Sequence, residues 1–281
     1  MIPTTGSDVG IHPSRRQQRV ELLPNVKTVY KIINSTTGSI GGNADGGAIY
    51  GETTAYSLQK IINLMKMHTG FNSESRFIDI GSGLGKPNMH VAQDPGVQFS
   101  CGVEIKRLRW MLCLHNFNKV LRYSVQQSIS GATESSKLLG FNCFFLNNDI
   151  AEANTLDPFT HVYMFDIGFP PDLMETLSHI FNRSCSFYLI CYHPPTIIIN
   201  HYDFHVVLLC QHNTTMHGSG ENHIGYIYKR SYKTDNHSPD IRTDPMFTDS
   251  WNLVKSGLNN LYDIVHNTLE LELNAPRSMR R

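Results

Sequence analysis

FIDIGSGLGK, Phe77 to Lys86, is the stretch from which the architecture is read. Phe77, Ile78 and Ile80 form a short apolar run of the kind that becomes a buried strand. Asp79 sits near its end, and Gly81, Gly83 and Gly85 follow at alternate positions of a turn. Pro87 then opens a helix, where its missing N–H costs nothing. Glycines permit unusual backbone angles and let the main chain approach a ligand at the carboxyl edge of a parallel sheet. The GxGxG spacing behind an acid suits an amino-acid-bearing nucleoside better than the pyrophosphate that GxGxxG serves.

Outward from this segment the pattern repeats. A second apolar run, Phe99 to Val103, ends at Glu104, whose oxygens can accept both hydroxyls of a ribose. A helix with Trp110, Leu114, Phe117 and Leu121 on one side follows, and QQSISGATESSK, Gln126 to Lys137, reads as a surface loop. Strands are expected at Phe144 to Leu146, Val162 to Phe165 and Phe187 to Ile190, the last two separated by a helix through Leu173, Leu177, Ile180 and Phe181. Such alternation marks a parallel sheet with crossover helices. Phe204 to Leu209 and Ile224 to Tyr228 have no helical pattern between them and read as an antiparallel hairpin at one edge. The expected fold is a seven-stranded, Rossmann-like α/β mixed sheet with an antiparallel edge hairpin.

Residues 76–230 form this core. Residues 1–20 read as a flexible arm, and 21–75 as a helical and loop segment with one apolar helix face at Leu58, Ile61, Ile62 and Met65. Within it, Thr36 to Thr54 is too rich in Gly, Ser and Asn for a regular element, yet ends in Ile49 and Tyr50, as expected of a mobile loop carrying an ordered contact. Residues 231–281 are an extension with one helix, on which Val254, Leu258, Leu261 and Val265 are in register.

At 281 residues the chain can bury a substantial core without staples. Six cysteines without a CxxC pair fit reduced thiols. His201 and His205 have ligand spacing for a helix, but VVLLC after them reads as strand, so no metal is expected. The amino end lacks the charged start and apolar run of a secretory leader, and no apolar stretch approaches the ~20 residues that span a bilayer. A soluble chain that never contacts a membrane is expected, and the glycosylation-like motifs at Asn34, Asn182, Asn213 and Asn236 are coincidental on that reading. Lys plus Arg equals Asp plus Glu at 24 each, so the molecule as a whole has no bulk attraction to nucleic acid. Local basic clusters remain at Arg15, Arg16 and Arg19, at Lys229, Arg230 and Lys233, and at Arg277, Arg280 and Arg281.

Two further strand ends carry chemistry. Asp149 can accept from an adenine amino group, or cap the turn in NNDIAE. At the fourth strand the order is Phe165, Asp166, Ile167, Gly168, Phe169, Pro170. An Asn or Asp followed directly by Pro, Pro and an aromatic would grip a planar amide. Two aromatics with few polar groups suit a narrow channel for an alkyl ammonium better.

IYGET at Ile49 to Thr53, FIDIGSGLGK, and GVE at Gly102 to Glu104, in that order and spacing, resemble the non-SET histone lysine methyltransferases named for disruption of telomeric silencing. The likeness runs from about Ile49 to Tyr228, and the compact chain is similar to the trypanosomatid branch. It implies a class I fold with S-adenosyl-L-methionine as cofactor. The implied contacts are Tyr50, Glu52 and Thr53 on a covering loop, Asp79, Gly81, Ser82, Gly83, Gly85 and Lys86 at the glycine turn, Glu104 and Ile105 at the ribose, and Asp149 with Ile150 at the adenine. Phe165, Asp166, Phe169 and Tyr226 are the expected catalytic channel, and because Tyr226 and Tyr228 share one strand face, either could supply the tyrosine that lines it. The implied target is a lysine in the globular part of histone H3 on a nucleosome, with DNA contact through the Arg and Lys clusters, in a nuclear monomer. The chain departs from the family where Phe165 and Asp166 replace a polar amide pair, where Lys86 and Pro87 replace Gln and an aliphatic residue, and where CYHPP, Cys191 to Pro195, replaces Ser-Ser-Lys-Pro. The rival readings are a class I methyltransferase for another protein or a small molecule, and a non-catalytic cofactor-binding scaffold.

Overall fold

A computed structural model describes residues 20–38, 52–129, 142–217, 222–231 and 243–257. Its strands are β1 (Arg76–Ile80), β2 (Phe99–Val103), β3 (Cys143–Leu146), β4 (His161–Met164), β5 (Tyr188–Cys191), β6 (Val206–Thr215) and β7 (Asn222–Arg230). They form one sheet in the order β3-β2-β1-β4-β5-β7-β6. The first five run parallel, and β7 lies antiparallel to both β5 and β6. The chain leaves β1 for β2 on one side and later returns to β4 on the other. This reversal opens a crevice at the carboxyl end of β1, where sheets of this kind bind ligands.

The helices are α1 (Pro24–Thr36), α2 (Ala55–Thr69), α3 (Lys86–Gln93), α4 (Arg107–Ile129), α5 (Pro171–Arg183), α6 (Pro195–Ile198) and α7 (Thr248–Lys255). Local chemistry sets their ends. Thr54 caps α2 by accepting from the Ser57 N–H, and Gly70, with φ of 67°, closes it in the left-handed region that glycine adopts without strain. Proline in the first turn starts α1, α3 and α5.

Strand alternation separates two cores. Ile78, Ile80, Val162, Met164, Leu189 and Cys191 face α5, where Met174, Leu177 and Ile180 cover them. Phe77, Tyr163, Ile190, Tyr192 and Ile227 point the other way, onto Leu58, Ile61, Ile62 and Met65 of α2. Each such side chain, fully buried, stabilises the fold by roughly 2 kcal/mol. On the same side, Val29 and Ile33 of α1 pack with Met89 of α3, Cys113 of α4 and Phe145 of β3. Helix α1 thereby closes over the glycine turn.

Several sequence expectations need correction. Gln126 to Ile129 continue α4 instead of starting a loop, because the apolar face of that helix, ending in Val125, stays packed. Thr36 belongs to α1 rather than to the glycine-rich segment. Phe165 lies just past β4, at the start of a 3-10 turn. The penultimate strand begins at Val206, not Phe204, and runs on to Thr215, with a register shift between Leu208 and Cys210. Helix α7 ends at Lys255, with Gly257 at φ of 79° just beyond. Leu258, Leu261 and Val265, the arm at 1–19, Tyr50, and the clusters at Arg15 to Arg19 and Arg277 to Arg281 lie outside the described residues. No described helix is long and apolar enough to cross a membrane.

Candidate active site

Gly81, Gly83 and Gly85 all have positive φ, at 78°, 53° and 76°. At Gly85 the turn also has no room for a side chain. A Cβ on Gly85 would lie 2.5 Å from the Cys113 sulfur and 2.8 Å from the Phe145 ring, so α4 and β3 close onto bare backbone. Gly102 of β2 is equally necessary, since its Cβ would meet Ser82 at 2.7 Å. The N–H groups of Gly81 and Ser82 donate to the Val103 carbonyl, which ties the turn to the end of β2.

Glu104 follows that end and is 3% exposed. One oxygen accepts the Gly83 N–H at 2.9 Å and the other the Lys106 N–H at 2.8 Å. Each oxygen keeps a second lone pair, so the carboxylate is held rigidly and still able to accept a pair of hydroxyls. Ile105 beside it is exposed.

Asp79 lines a cavity together with Tyr30, Glu52, Thr53, Ser82, Lys86, Tyr163 and Phe165. It is 3% exposed, and among the described residues no group donates a hydrogen bond to it. Burial, and then the neighbouring Glu104, hold its carboxyl well above the usual range. Lys86, buried in the first turn of α3, donates to Glu52 at 2.5 Å. Glu52 lies on a segment fastened to the far end of β6. Its carbonyl accepts the His217 N–H, Thr53 bridges Met216, and the Thr54 N–H donates to the Thr215 carbonyl. The added length of β6 therefore places one wall of the cavity.

The other wall is aromatic. The hydroxyls of Tyr163 and Tyr192 are 3.0 Å apart, and that of Tyr192 is 3.2 Å from the Thr53 hydroxyl. Phe165 packs edge-on against Tyr192, ring centres 4.7 Å apart, and against His223 at 5.5 Å. Burial pushes the Tyr192 phenol up to about 12 and raises Tyr163 too, so both remain neutral donors and acceptors.

The remaining expected residues divide. Asp166 is fully buried and does not line the cavity. It accepts the Tyr192 N–H and faces Nδ1 of His193, both at 2.7 Å, and so fixes the segment that carries Tyr192. Phe169 lies against Gly81, where a Cβ would touch its ring at 3.2 Å. Tyr226 is on the opposite sheet face, stacked with Tyr228. Phe165 thus lines the cavity, and Asp166, Phe169 and Tyr226 are not among the residues that line it. Asp149 caps the turn that follows β3, accepting from the Ala151 N–H, while Ile150 packs into the α5 core. In the expected cluster at Lys229 to Lys233, Arg230 is structural. Its guanidinium is buried, donates to the carbonyls of Phe181, Asn182 and Ser186, and stacks on the Phe181 ring. Lys233 lies outside the described residues.

Sequence reasoning missed Tyr30, Tyr163, Tyr192 and His223. For Tyr163 a signal existed, because it lies two residues before Phe165 and therefore on the same strand face. The other three come from separate segments, and only tertiary packing gathers them.

The donor and acceptor set fits an amino-acid-bearing nucleoside. A buried carboxylate without a partner awaits an ammonium, a buried lysine stands nearby, and a rigid glutamate offers lone pairs to a ribose.

The family model "Histone methylation protein DOT1" matches residues 43–183, half of the chain. No curated protein matches significantly. Among solved structures, the chain is similar to magnesium protoporphyrin IX methyltransferase from Synechocystis with bound S-adenosylmethionine, at 16% identity over 74% of this chain and 98% of that one, TM-score 0.44. It is also similar to TrmK of M. capricolum in complex with S-adenosyl-homocysteine, at 12% identity over 82% and 92%, TM-score 0.40. A protein of Thermoplasma acidophilum gives 9% identity over 75% and 100%, TM-score 0.47.

Proposed function

Because this chain belongs to the DOT1 histone methylation family of non-SET, S-adenosylmethionine-dependent methyltransferases, we propose that it methylates a lysine in the globular core of histone H3 on nucleosomes, as a nuclear monomer. The observation that carries this reading is the aromatic wall of Tyr163 and Phe165, backed by Tyr192, which shares one cavity with the unpartnered Asp79.

On this reading Asp79, Gly81 and Ser82 hold the amino-acid end of the cofactor, Glu52 and Thr53 cover it, and Glu104 grips its ribose. Lys86, paired with Glu52, faces the cofactor carboxylate. Asp149 borders the adenine. When bound, S-adenosylmethionine supplies an electrophilic methyl group on a sulfonium. Free lysine has a pKa of ~10.4 and attacks only as the neutral amine. The wall of Phe165, Tyr163 and Tyr192 disfavours the ammonium by desolvation, excludes water and aligns the approach, so no dedicated base is required.

A basic groove supports a polyanionic partner. Helix α4 carries Arg107, Arg109, Lys119 and Arg122 and no acid, and His115, Lys119 and Arg122 line a groove with Ile32, Ser35 and Thr36 of α1. Binding that neutralises phosphates weakens as salt rises.

The test is to incubate nucleosomes, free histones and a metabolite panel with labelled S-adenosylmethionine and map the modified residue by mass spectrometry. Label on a core H3 lysine of nucleosomes, falling with added salt, is the expected outcome. Label only on a metabolite or another protein would move the acceptor elsewhere. Bound cofactor with no transfer would make the chain a scaffold.

A further inference from the structure

Tyr30 reaches the cavity from α1, and neither the glycine turn nor the covering segment accounts for it. Its hydroxyl is 3.2 Å from Nδ1 of His90, a fully buried residue of α3. Nε2 of His90 is 2.9 Å from Oε1 of Gln59 on α2. The Gln59 amide nitrogen donates to Oδ2 of Asp94 at 2.6 Å and to Oδ1 of Asn63 at 3.0 Å. Asp94 is ion-paired with Lys66.

Every proton along this line has one place to go. An ion-paired carboxylate only accepts, so Gln59 must turn its NH₂ to Asp94 and its carbonyl to His90. That carbonyl only accepts too, which puts the His90 proton on Nε2. Burial lowers His90 to about 3 from 6.5, so the ring is neutral and Nδ1 is a bare lone pair. The Tyr30 O–H must donate to it. Burial and nearby Glu52 also keep the phenol protonated, so its single proton stays committed to His90. The phenolic oxygen therefore meets the cavity as an acceptor and has no proton to give there.

Asp79 lines the same cavity as an acceptor without a protein donor, and an ammonium brings three N–H groups. From this juxtaposition we infer that Tyr30 accepts a hydrogen bond from the α-ammonium of S-adenosylmethionine, with Asp94, Gln59 and His90 as positioning residues that hold its proton away. The inference rests on the cofactor assignment above. It makes the site selective, because a ligand presenting a carboxylate or carbonyl at that point meets two acceptors.

Calorimetry with S-adenosylhomocysteine and with its counterpart lacking the α-amino group tests this on the full chain, folding being followed by thermal unfolding. Tyr30→Phe should bind S-adenosylhomocysteine about tenfold more weakly, the loss of one hydrogen bond to a charged group, and the deaminated nucleoside unchanged. Gln59→Met frees the His90 tautomer without touching the cavity. It should lose about threefold for the amine-bearing ligand alone. If Tyr30→Phe fails to fold, Gln59→Met carries the same ligand contrast. Equal losses for both nucleosides, or no loss in either variant, would overturn the assignment of Tyr30. Wild-type protein that takes up neither nucleoside would remove the cofactor assignment and this inference with it.

Discussion

Asp79 and Asp166 stand near the carboxyl ends of β1 and β4, neighbouring parallel strands, and water reaches neither to any extent. Their surroundings are opposite. Asp166 has a backbone N–H on one oxygen and an imidazole on the other. Asp79 has no donor among the described residues and faces a cavity. A buried carboxylate is costly unless paired, so one of these has been satisfied by the fold and the other is left for a ligand. Burial and residue type alone do not separate a binding acid from an architectural one. The distribution of donors does.

The contrast breaks or sharpens under substitution. The largest effect is expected from Asp79→Asn, which should weaken S-adenosylhomocysteine binding by about 100-fold or more in calorimetry, the cost of removing one partner of a buried charge pair. The ligand-free protein should meanwhile gain stability. The folded-state pKa of Asp79 is raised above 3.8, so its contribution is fully present below that value and is lost as pH rises through the folded pKa. Thermal unfolding across that window should slope less in Asp79→Asn than in wild type. An unchanged slope and unchanged affinity would erase the difference between the two acids.

Next comes Asp166→Ala, expected to cost about 2–4 kcal/mol in chemical denaturation because Tyr192 N–H and His193 lose their partner in the interior. Ligand affinity of the folded fraction should stay near wild type. The Asp166 hydrogen bond raises His193 above 6.5, so that stabilisation is present below 6.5 and fades as pH rises through the folded His193 pKa. The variant should lose this dependence. A large loss of affinity without loss of stability would make Asp166 a binding acid after all.

Smaller in effect, Phe165→Ala should slow methyl transfer on the order of tenfold while leaving cofactor affinity nearly unchanged, since it opens only the acceptor wall. Equal losses in both would place Phe165 on the cofactor side. The smallest change is expected from Tyr226→Phe, within about twofold in turnover, because Tyr226 stacks on Tyr228 across the sheet from the cavity. A severe loss in steady-state kinetics would return the acceptor channel to that face.

The strand pattern from Phe77 to Tyr228 and the glycine turn were legible in the sequence because they are local. Apolar periodicity reports burial, and GxGxG reports backbone angles that the structure confirms at Gly81, Gly83 and Gly85. Glu104 was legible for the same reason, one residue past a strand end. The covering role expected of Glu52 and Thr53 could be read only by resemblance, and its anchorage on Thr215, Met216 and His217 could not be read at all, since it joins segments over 150 residues apart. Asp166 was expected in the channel, and the sequence around it does not show its partners, Tyr192 and His193, which follow the end of the next strand.

What the sequence determined by itself is the order of elements, the crevice at the end of β1 and the acids beside it, all consequences of periodicity and backbone sterics within a few residues. Only the tertiary structure decided which acid is left unpartnered, which aromatics form the wall and which way the Tyr30 proton points. Those properties depend on donors and rings brought together from distant segments, and a hydrogen bond is decided by the position of both partners.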